Sequence, residues 1–273
     1  MSTTADQIVW SLAQEARPDD VIVVGVATPV ASAAALLARE LLHPGLHVIV
    51  AASVDPTAHD IAQPMLDGGY VSRVAAGTLS QTEVLDAIQR GRITLQFVSP
   101  AQIDGSGQLN TSWVRGADGA PRRLPGGLAT GDISVLVGRL VAYRAGHSPR
   151  FLAKEVSFVT GAGHDHGPAW RRERALPGAG LRTVVTDRAI LRYDHEHSAF
   201  RLASVHTGVT VDEVVEGCGF SLLVPDEVPV TPEPPDRALQ LLDEVIDPHG
   251  VRRLETRDGR DAARATLEAL RDG

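Results

Sequence analysis

Two short apolar runs separated by a helix-forming stretch constrain the fold more than any other feature of this sequence. The first run, residues 21–26, is almost entirely β-branched, which is typical of a strand buried on both faces. An Ala- and Leu-rich stretch at 30–42 follows Pro29 and predicts a helix, and residues 46–50 predict a second buried strand. Because strand, helix and strand in this order form a βαβ unit, the sequence predicts a parallel sheet.

The rest of the pattern extends this sheet, adds an antiparallel hairpin and leaves a long irregular segment at 101–132. We therefore predict an α/β fold with an open, mostly parallel sheet that is flanked by helices and extended by the hairpin. We expect a single domain over residues 1–250 and a charged C-terminal tail at 251–273, helical or disordered. Further helices are predicted at 4–16, at 80–90, from 210 and at 237–246, and further strands at 93–98, 135–141, 155–159, 181–186, 189–193, 200–204 and 220–224.

Composition excludes several classes of function. The formal net charge is -8 and no basic stripe is present, so nucleic acid is not expected as a partner. Cys218 is the only cysteine, which excludes an internal disulfide, a cysteine-based zinc site and a cysteine-ligated iron–sulfur cluster. No apolar run reaches the ~18 residues of a membrane span, and residues 1–7 lack the pattern of a signal peptide. We therefore expect a cytoplasmic protein that does not contact the membrane.

The first candidate site is the turn after the first strand, at Gly25, Val26 and Ala27. Ligands of open α/β sheets bind beside the carboxyl ends of strands, which is where this turn lies. The segment lacks both the glycines of a dinucleotide fingerprint and the Gly-Lys-Ser/Thr of a phosphate-binding loop. The local sequence alone favours a tight strand–helix turn.

The second candidate is a Gly-rich loop at 125–131, preceded by Arg122 and Arg123. Successive backbone N–H groups of such a loop can hold an anion or a developing oxyanion, and a flexible surface turn is the alternative. Arginine suits phosphate well, although solvation at the surface is the default for such a pair.

Histidines with neighbouring acids occur at 164–166 and 194–197, but neither spacing matches a recognised metal site. Solvated loops explain both clusters, so we predict no metal. Cys218 lies between two glycines before an expected strand, and we assign it no catalytic role, because free cysteines are usually buried and inert.

Taken together and in order, several segments resemble the β subunit of class I CoA-transferases, above all glutaconate CoA-transferase. The most specific is the stretch at 102–112, which matches the family's QID-x-x-G-x-x-N pattern. The resemblance covers about residues 5 to 250. The other matching segments are 21–29, 47–50, 125–131, 184–191, 217–220 and 246–248.

The resemblance implies a heteromer with an α-type subunit, a heterotetramer or larger, that binds an acyl-CoA substrate at the subunit interface. It implies no bound cofactor, since coenzyme A enters as part of the substrate. In the transferases a β-subunit glutamate attacks the thioester while backbone N–H groups hold the oxyanion. The residues that the resemblance places near substrate or CoA are Gly25, Val26, Ala27, Ala51, Ala52, Ser53, Gln102, Gly126 and Gly127.

The sequence departs from the family at the nucleophile itself. The family glutamate follows the second strand, where this chain has Ala51, and alanine has no group that forms an acyl intermediate. The nearest acids are Asp55 and Asp60, and no catalytic residue is assigned. The local sequence is similar to a family decarboxylase that acts on a glutaconyl-type CoA ester, and the family also includes a ring-opening CoA hydrolase.

Three hypotheses remain open at this point. The first is a β-like enzyme subunit with non-transferase chemistry, either decarboxylation or hydrolysis of a C–C or thioester bond. The second is a CoA-transferase whose acid comes from Asp55 or from the partner. The third is a non-catalytic structural subunit.

Overall fold

The computed structural model describes residues 2–25, 28–57, 60–67 and 69–272. The chain divides into two compact units, which we call unit 1 and unit 2. Unit 1 contains Met1–Ala87, Ile93–Phe97 and Glu233–Gly273, and unit 2 contains Ile88–Arg92 and Val98–Pro232. That residues 1–250 act as one domain stays a prediction.

The strands, in chain order, are β1 (Val21–Val24), β2 (His47–Val50), β3 (Ser53–Pro56), β4 (Ala75–Thr78), β5 (Leu95–Val98), β6 (Gln102–Ile103), β7 (Leu109–Asn110), β8 (Trp113–Arg115), β9 (Pro121–Arg123), β10 (Arg139–Arg144), β11 (Leu181–Thr186), β12 (Ala189–Asp194) and β13 (Ala199–Val205). The helices are α1 (Thr4–Ala13), α2 (Pro29–Leu37), α3 (Gln63–Leu66), α4 (Tyr70–Val74), α5 (Gln81–Gln89), α6 (Thr130–Leu136), α7 (Gly167–Glu173), α8 (Val211–Glu216), α9 (Asp236–Leu241) and α10 (Arg260–Asp272). Short π-helical turns at Ala38–Leu42 and Leu242–Ile246 continue α2 and α9, and Val251–Glu255 forms a 3-10 helix.

In unit 1 the strand order is β5-β1-β2-β3-β4. β1 pairs in parallel with both β2 and β5, as the βαβ pattern predicts, whereas β3 and β4 are added antiparallel. The apolar runs of β1 and β2 are buried beneath α2, whose small alanines allow the helix to pack closely. The carboxyl ends of β1 and β2 therefore reach the same edge of the sheet as the first turn of α2.

In unit 2 the strand order is β13-β12-β11-β10. β10 and β11 are parallel, and β12 and β13 form the predicted antiparallel hairpin. The irregular segment after Pro100 holds two small hairpins, β6–β7 and β8–β9. The predicted α/β class is confirmed.

Two predicted strands are wrong, and a third begins four residues later than predicted. The sequence pattern places residues 135–141 in one strand, but α6 ends at Leu136 and β10 begins only at Arg139, since the Ser134 hydroxyl donates to Gly131 O and supports a helix there. Residues 155–159 form no strand, because the Ser157 N–H donates to the Gln102 side chain instead of to a strand. Residues 220–224 make only one bridge, between Leu223 and Arg201.

The C-terminal tail is helical. α10 packs on the 3-10 helix and on α3, both of which belong to unit 1. Within the described ranges, no helix combines the length and apolar character that crossing a lipid bilayer requires.

Candidate functional site

A two-residue turn places Ala51 at the end of β2. Val50 and Ser53 are paired across the β2–β3 hairpin, so Ala51 and Ala52 alone make the connection. Both have positive φ, 47° and 66°, which marks a type I′ turn. Glycine or asparagine is usual at such positions, and the sequence has neither here.

Ala51 lines a cavity of about 250 Å³ in unit 1. The cavity opens at the carboxyl ends of β1 and β2, where ligands of α/β sheets bind. Of the predicted site residues it contains Gly25 and Ala51. The described lining residues are Gly25, Thr28, Pro29, Ser32, Leu36, Val50, Ala51, Pro56, Asp60, Ile61, Pro64, Met65, Tyr70, Val71 and Val74.

The four remaining residues that were predicted at this edge of the sheet are not among the described residues that line the cavity. Val26 and Ala27 lie outside the described residues. Ala52 accepts a backbone hydrogen bond from Leu79 N–H at 2.8 Å, and Ser53 is buried in β3. Neither Ala52 nor Ser53 is among the described residues that line the cavity.

The first turn of α2 forms one wall of the cavity. The Thr28 hydroxyl donates to Gly25 O at 2.7 Å, which fixes the turn between β1 and α2. Pro29 carries no N–H, and the Val30 N–H donates to the Glu255 carboxylate at 3.1 Å. The positive end of the helix is thus already occupied by an anion from this chain.

The two nearby acids differ in position. Asp55 has one carboxylate oxygen 2.6 Å from His47 Nδ1, and its other oxygen accepts the Val48 N–H at 2.8 Å. These contacts hold Asp55 at the start of β2, away from the Ala51 turn. Asp60 lines the cavity, and its oxygens accept the Ala62 N–H and the Gln63 side-chain amide, both at 3.0 Å.

In unit 2, Gln102 and Asn110 form a hydrogen-bonded scaffold. Gln102 Oε1 accepts the Asn110 side-chain amide at 2.7 Å and the Ser157 N–H at 2.9 Å. Asp104 accepts the backbone N–H groups of Ser106 and Gln108 and closes the turn between them. The side-chain oxygen of Gln102 is therefore engaged within the chain, and a role for Gln102 in CoA binding stays a prediction.

The Gly-rich loop lies over the segment that follows β7. The Gly126 N–H donates to Thr111 O at 2.9 Å, so this N–H already has an acceptor within the chain. Gly126 has φ 107° and Ala129 has φ 62°, which makes the loop a sharply curved one. Gly126 and Gly127 line a shallow depression of unit 2 with Ser112, Trp113, Pro121 and Arg123.

His164 is buried rather than solvated as predicted, and both His164 and Cys218 have contacts within the chain. Burial lowers the pKa of His164 to about 4, and its Nε2 donates to Leu181 O at 2.8 Å. Burial raises the pKa of Cys218 to about 12, which makes this thiol a poor nucleophile near neutral pH. Across the described part of the chain, no three His, Cys, Asp or Glu side chains gather in an arrangement that could hold a metal ion.

The wall of the cavity that α3 and α4 form, which we call the far wall, was not predicted from the sequence. Pro64, Met65, Tyr70 and Val74 come from α3 and α4, which follow an irregular segment without a clear pattern. The sequence identifies Asp60 only as an acid near Ala51. It holds no local signal that brings this segment over the end of β1.

The sequence profile of the coenzyme A transferase family matches residues 7–217 of the chain. The chain is 26% identical to the B-type subunit of 3-oxoadipate CoA-transferase from Pseudomonas knackmussii, over 88% of this chain and 92% of that protein. It is 25% identical to the B-type subunit of glutaconate CoA-transferase from Acidaminococcus fermentans, over 90% of this chain and 93% of that protein.

Two further similarities concern proteins with other chemistry. A cholesterol ring-cleaving hydrolase IpdB subunit of Rhodococcus jostii is 28% identical, over 64% of this chain and 68% of that protein. The crystal structure of the decarboxylase AibA/AibB superposes with a TM-score of 0.78 at 25% identity, covering 93% of this chain and 98% of the matched chain.

Proposed function

The chain belongs to the coenzyme A transferase family, and from this premise we propose that it is the B-type subunit of a heteromeric enzyme that acts on an acyl-CoA thioester. The support is similarity along most of the chain to the B-type subunits of two CoA-transferases. The proposed partner is an A-type subunit, and the two-part name of the AibA/AibB decarboxylase supports a two-component enzyme.

The reaction that we propose is not CoA transfer, and the methyl group of Ala51 carries this conclusion. The sequence resemblance assigns Ala51 to the position of the family nucleophile, and Ala51 lines the cavity at the end of β2. A methyl group forms no acyl intermediate. Decarboxylation or hydrolysis needs no such intermediate, because hydrogen-bond donors at the thioester oxygen stabilise the developing negative charge. A decarboxylase and a hydrolase among the similar proteins support this class of reaction.

An exposed apolar patch in unit 2 supports assembly with a partner. Leu128, in the Gly-rich loop, is 91% exposed, and Phe158 and Val159 are also exposed. A Cβ at Gly127 would meet the Thr160 methyl, so the loop lies directly beside the residue that follows Val159. Adjacent exposed apolar side chains of this kind are typical of a surface that another subunit covers.

Chemical trapping tests the proposed reaction. The chain, purified with its A-type partner, is incubated with acyl-CoA esters and treated with hydroxylamine or borohydride. We expect hydrolysis or release of CO2 with no trapped acyl group on this chain. Ala51→Glu is expected to yield a trapped adduct, because it restores a carboxylate to the nucleophile position, and Ala51→Gln is the matched control without one.

A trapped acyl group on the unmodified chain would contradict the proposal and favour a true transferase. Asp60 is the specific observation behind that second candidate, since it is the carboxylate that lines the cavity with Ala51. In that case Asp60→Asn abolishes the adduct. If calorimetry detects no binding of any acyl-CoA to the chain or its complex, the chain has a structural role instead.

A further inference from the structure

The cavity beside Ala51 has walls that suit an uncharged hydrocarbon. Its far wall consists of aliphatic and aromatic side chains from α3 and α4, such as Met65, Val71 and Val74. No lysine or arginine is among the described residues that line it. A ligand carboxylate buried here would lose its hydration without gaining a cationic partner, which is unfavourable.

The N-terminus of α2 is the other place where a ligand carboxylate could bind, and it is already occupied. Glu255 accepts the Val30 N–H at 3.1 Å, and Pro29 has no N–H to offer. A second carboxylate at this helix end would meet the negative charge of Glu255. The helix therefore does not supply the anion site that its position in the cavity wall would otherwise provide.

The charge that the cavity wall does carry is negative. Asp60 is the charged residue among the described lining residues. His249 Nε2 lies 3.5 Å from Asp60 Oδ2, so any positive charge on His249 is met by that carboxylate. The electrostatic balance of the wall therefore disfavours an anionic group at the far end of an acyl chain.

We propose that this cavity takes the acyl group of the thioester and selects an uncharged apolar chain over one that ends in a carboxylate. At the roughly 30 Å³ that a water-sized group occupies, a cavity of about 250 Å³ holds about eight heavy atoms. The preferred substrate is then a medium-length aliphatic or alicyclic monocarboxylic acyl-CoA. This inference rests on the proposed function.

The inference also narrows the reaction. An acyl chain without a terminal carboxylate has no CO2 to lose from its far end, so hydrolysis is the reaction that remains. Water adds to the thioester carbonyl carbon, the bond from that carbon to sulfur breaks, and the proton of the water passes to the sulfur of the departing CoA. No redox partner is required.

Isothermal titration of the complex with a series of CoA thioesters tests the selection. Affinity is expected to rise about fourfold for each added methylene, from acetyl-CoA to octanoyl-CoA, and then to level off. Glutaryl-CoA, which ends in a carboxylate, is expected to bind no more tightly than acetyl-CoA. Free CoA serves as the reference for binding of the common part of the ligand.

A variant that places a positive charge in the cavity tests whether the preference for an uncharged acyl chain can be reversed. Val74 lines the cavity at the end of α4. Val74→Arg is expected to improve glutaryl-CoA binding at least tenfold and to weaken octanoyl-CoA binding. Val74→Met, which adds length without charge, should keep the order of the unmodified protein. Melting temperatures of both variants show whether they fold.

The outcomes separate this inference from the proposed function. If CoA and its esters bind without dependence on chain length, or if glutaryl-CoA binds best to the unmodified protein, this inference is wrong and the proposed function stands. If neither free CoA nor any ester binds, both are wrong. The chain-length series uses the unmodified protein, so it decides the question even if the variants do not fold.

Discussion

Ala51 and Ala52 hold a backbone conformation that costs roughly 1–2 kcal/mol for each residue with a Cβ. The hairpin between β2 and β3 imposes it, because Val50 and Ser53 are paired and leave only two residues for the turn. A residue at position 51 is therefore presented at the tip of a tight turn that also lines the cavity. Under the proposed function, this geometry would present the side chain of residue 51 to the bound thioester.

Ala52→Gly is expected to raise the free energy of unfolding by up to about 1 kcal/mol. Glycine adopts the φ of 66° without the strain that a Cβ causes. Part of this stabilisation is lost because glycine has more conformational freedom in the unfolded chain. Urea unfolding of the full chain measures the change. Ala76→Gly, at an exposed position in β4, is the control and should lower stability. A loss of stability in Ala52→Gly would contradict the strained turn.

In unit 1, the ion pairs of Arg252 link helix α1 to the C-terminal segment. Its side chain is fully buried and donates to Asp6 of α1 at 2.7 Å and to Asp247 at 2.9 Å. A third contact, to Asp243 at 2.5 Å, reaches a residue whose side chain is 59% exposed. The C-terminal segment is thereby fastened to α1, although the two are far apart in sequence.

Arg252→Met is expected to lower the free energy of unfolding by about 3–5 kcal/mol. The loss arises because methionine leaves the buried Asp6 and Asp247 carboxylates without their cation. Thermal and urea unfolding measure the effect. Asp243→Asn is the comparison and should cost less than about 1 kcal/mol, because this partner is largely solvated. If both variants lower the free energy of unfolding by the same amount, burial does not control how much the ion pairs of Arg252 stabilise the fold.

For the protein as a whole, buried histidines contribute to the loss of stability in acid. Burial lowers the pKa of His147, His164 and His206, all in unit 2, so the folded chain holds them neutral near pH 7. The unfolded chain binds protons at the ordinary histidine pKa of 6.5. Because the unfolded state then carries more protons, stability is full above this pH and falls as the pH decreases.

For His164, whose pKa is about 4, the loss reaches about 3 kcal/mol between about pH 7 and pH 4. His164→Gln should flatten this part of the pH dependence, because glutamine does not titrate. Urea midpoints across this pH range measure it. His166→Gln, at an exposed histidine two residues away, is the matched variant against which the His164→Gln profile is compared. An unmodified profile that is flat over this range would show that His164 is not held neutral by the fold.

The βαβ unit, the antiparallel hairpin at β12–β13 and the family all follow from the amino-acid sequence. Each depends on local features: β-branched runs bury both faces, Pro29 starts α2, and the identity of Ala51 needs no coordinates. The helix α6 does not follow in this way. Its residues, Thr130–Leu136, precede a Val-rich run that favours a strand, and contacts within the folded chain make them helical.

The cavity likewise depends on the folded chain. β3 and β4 exist because long-range hydrogen bonds pair them, such as those from Thr57 N–H to Val74 O and from Leu79 N–H to Ala52 O, and no local pattern predicts them. Those contacts bring α3 and α4 beside Ala51 and close the far wall. Local propensity acts over a few residues, whereas an enclosed site depends on contacts between segments that are distant in sequence.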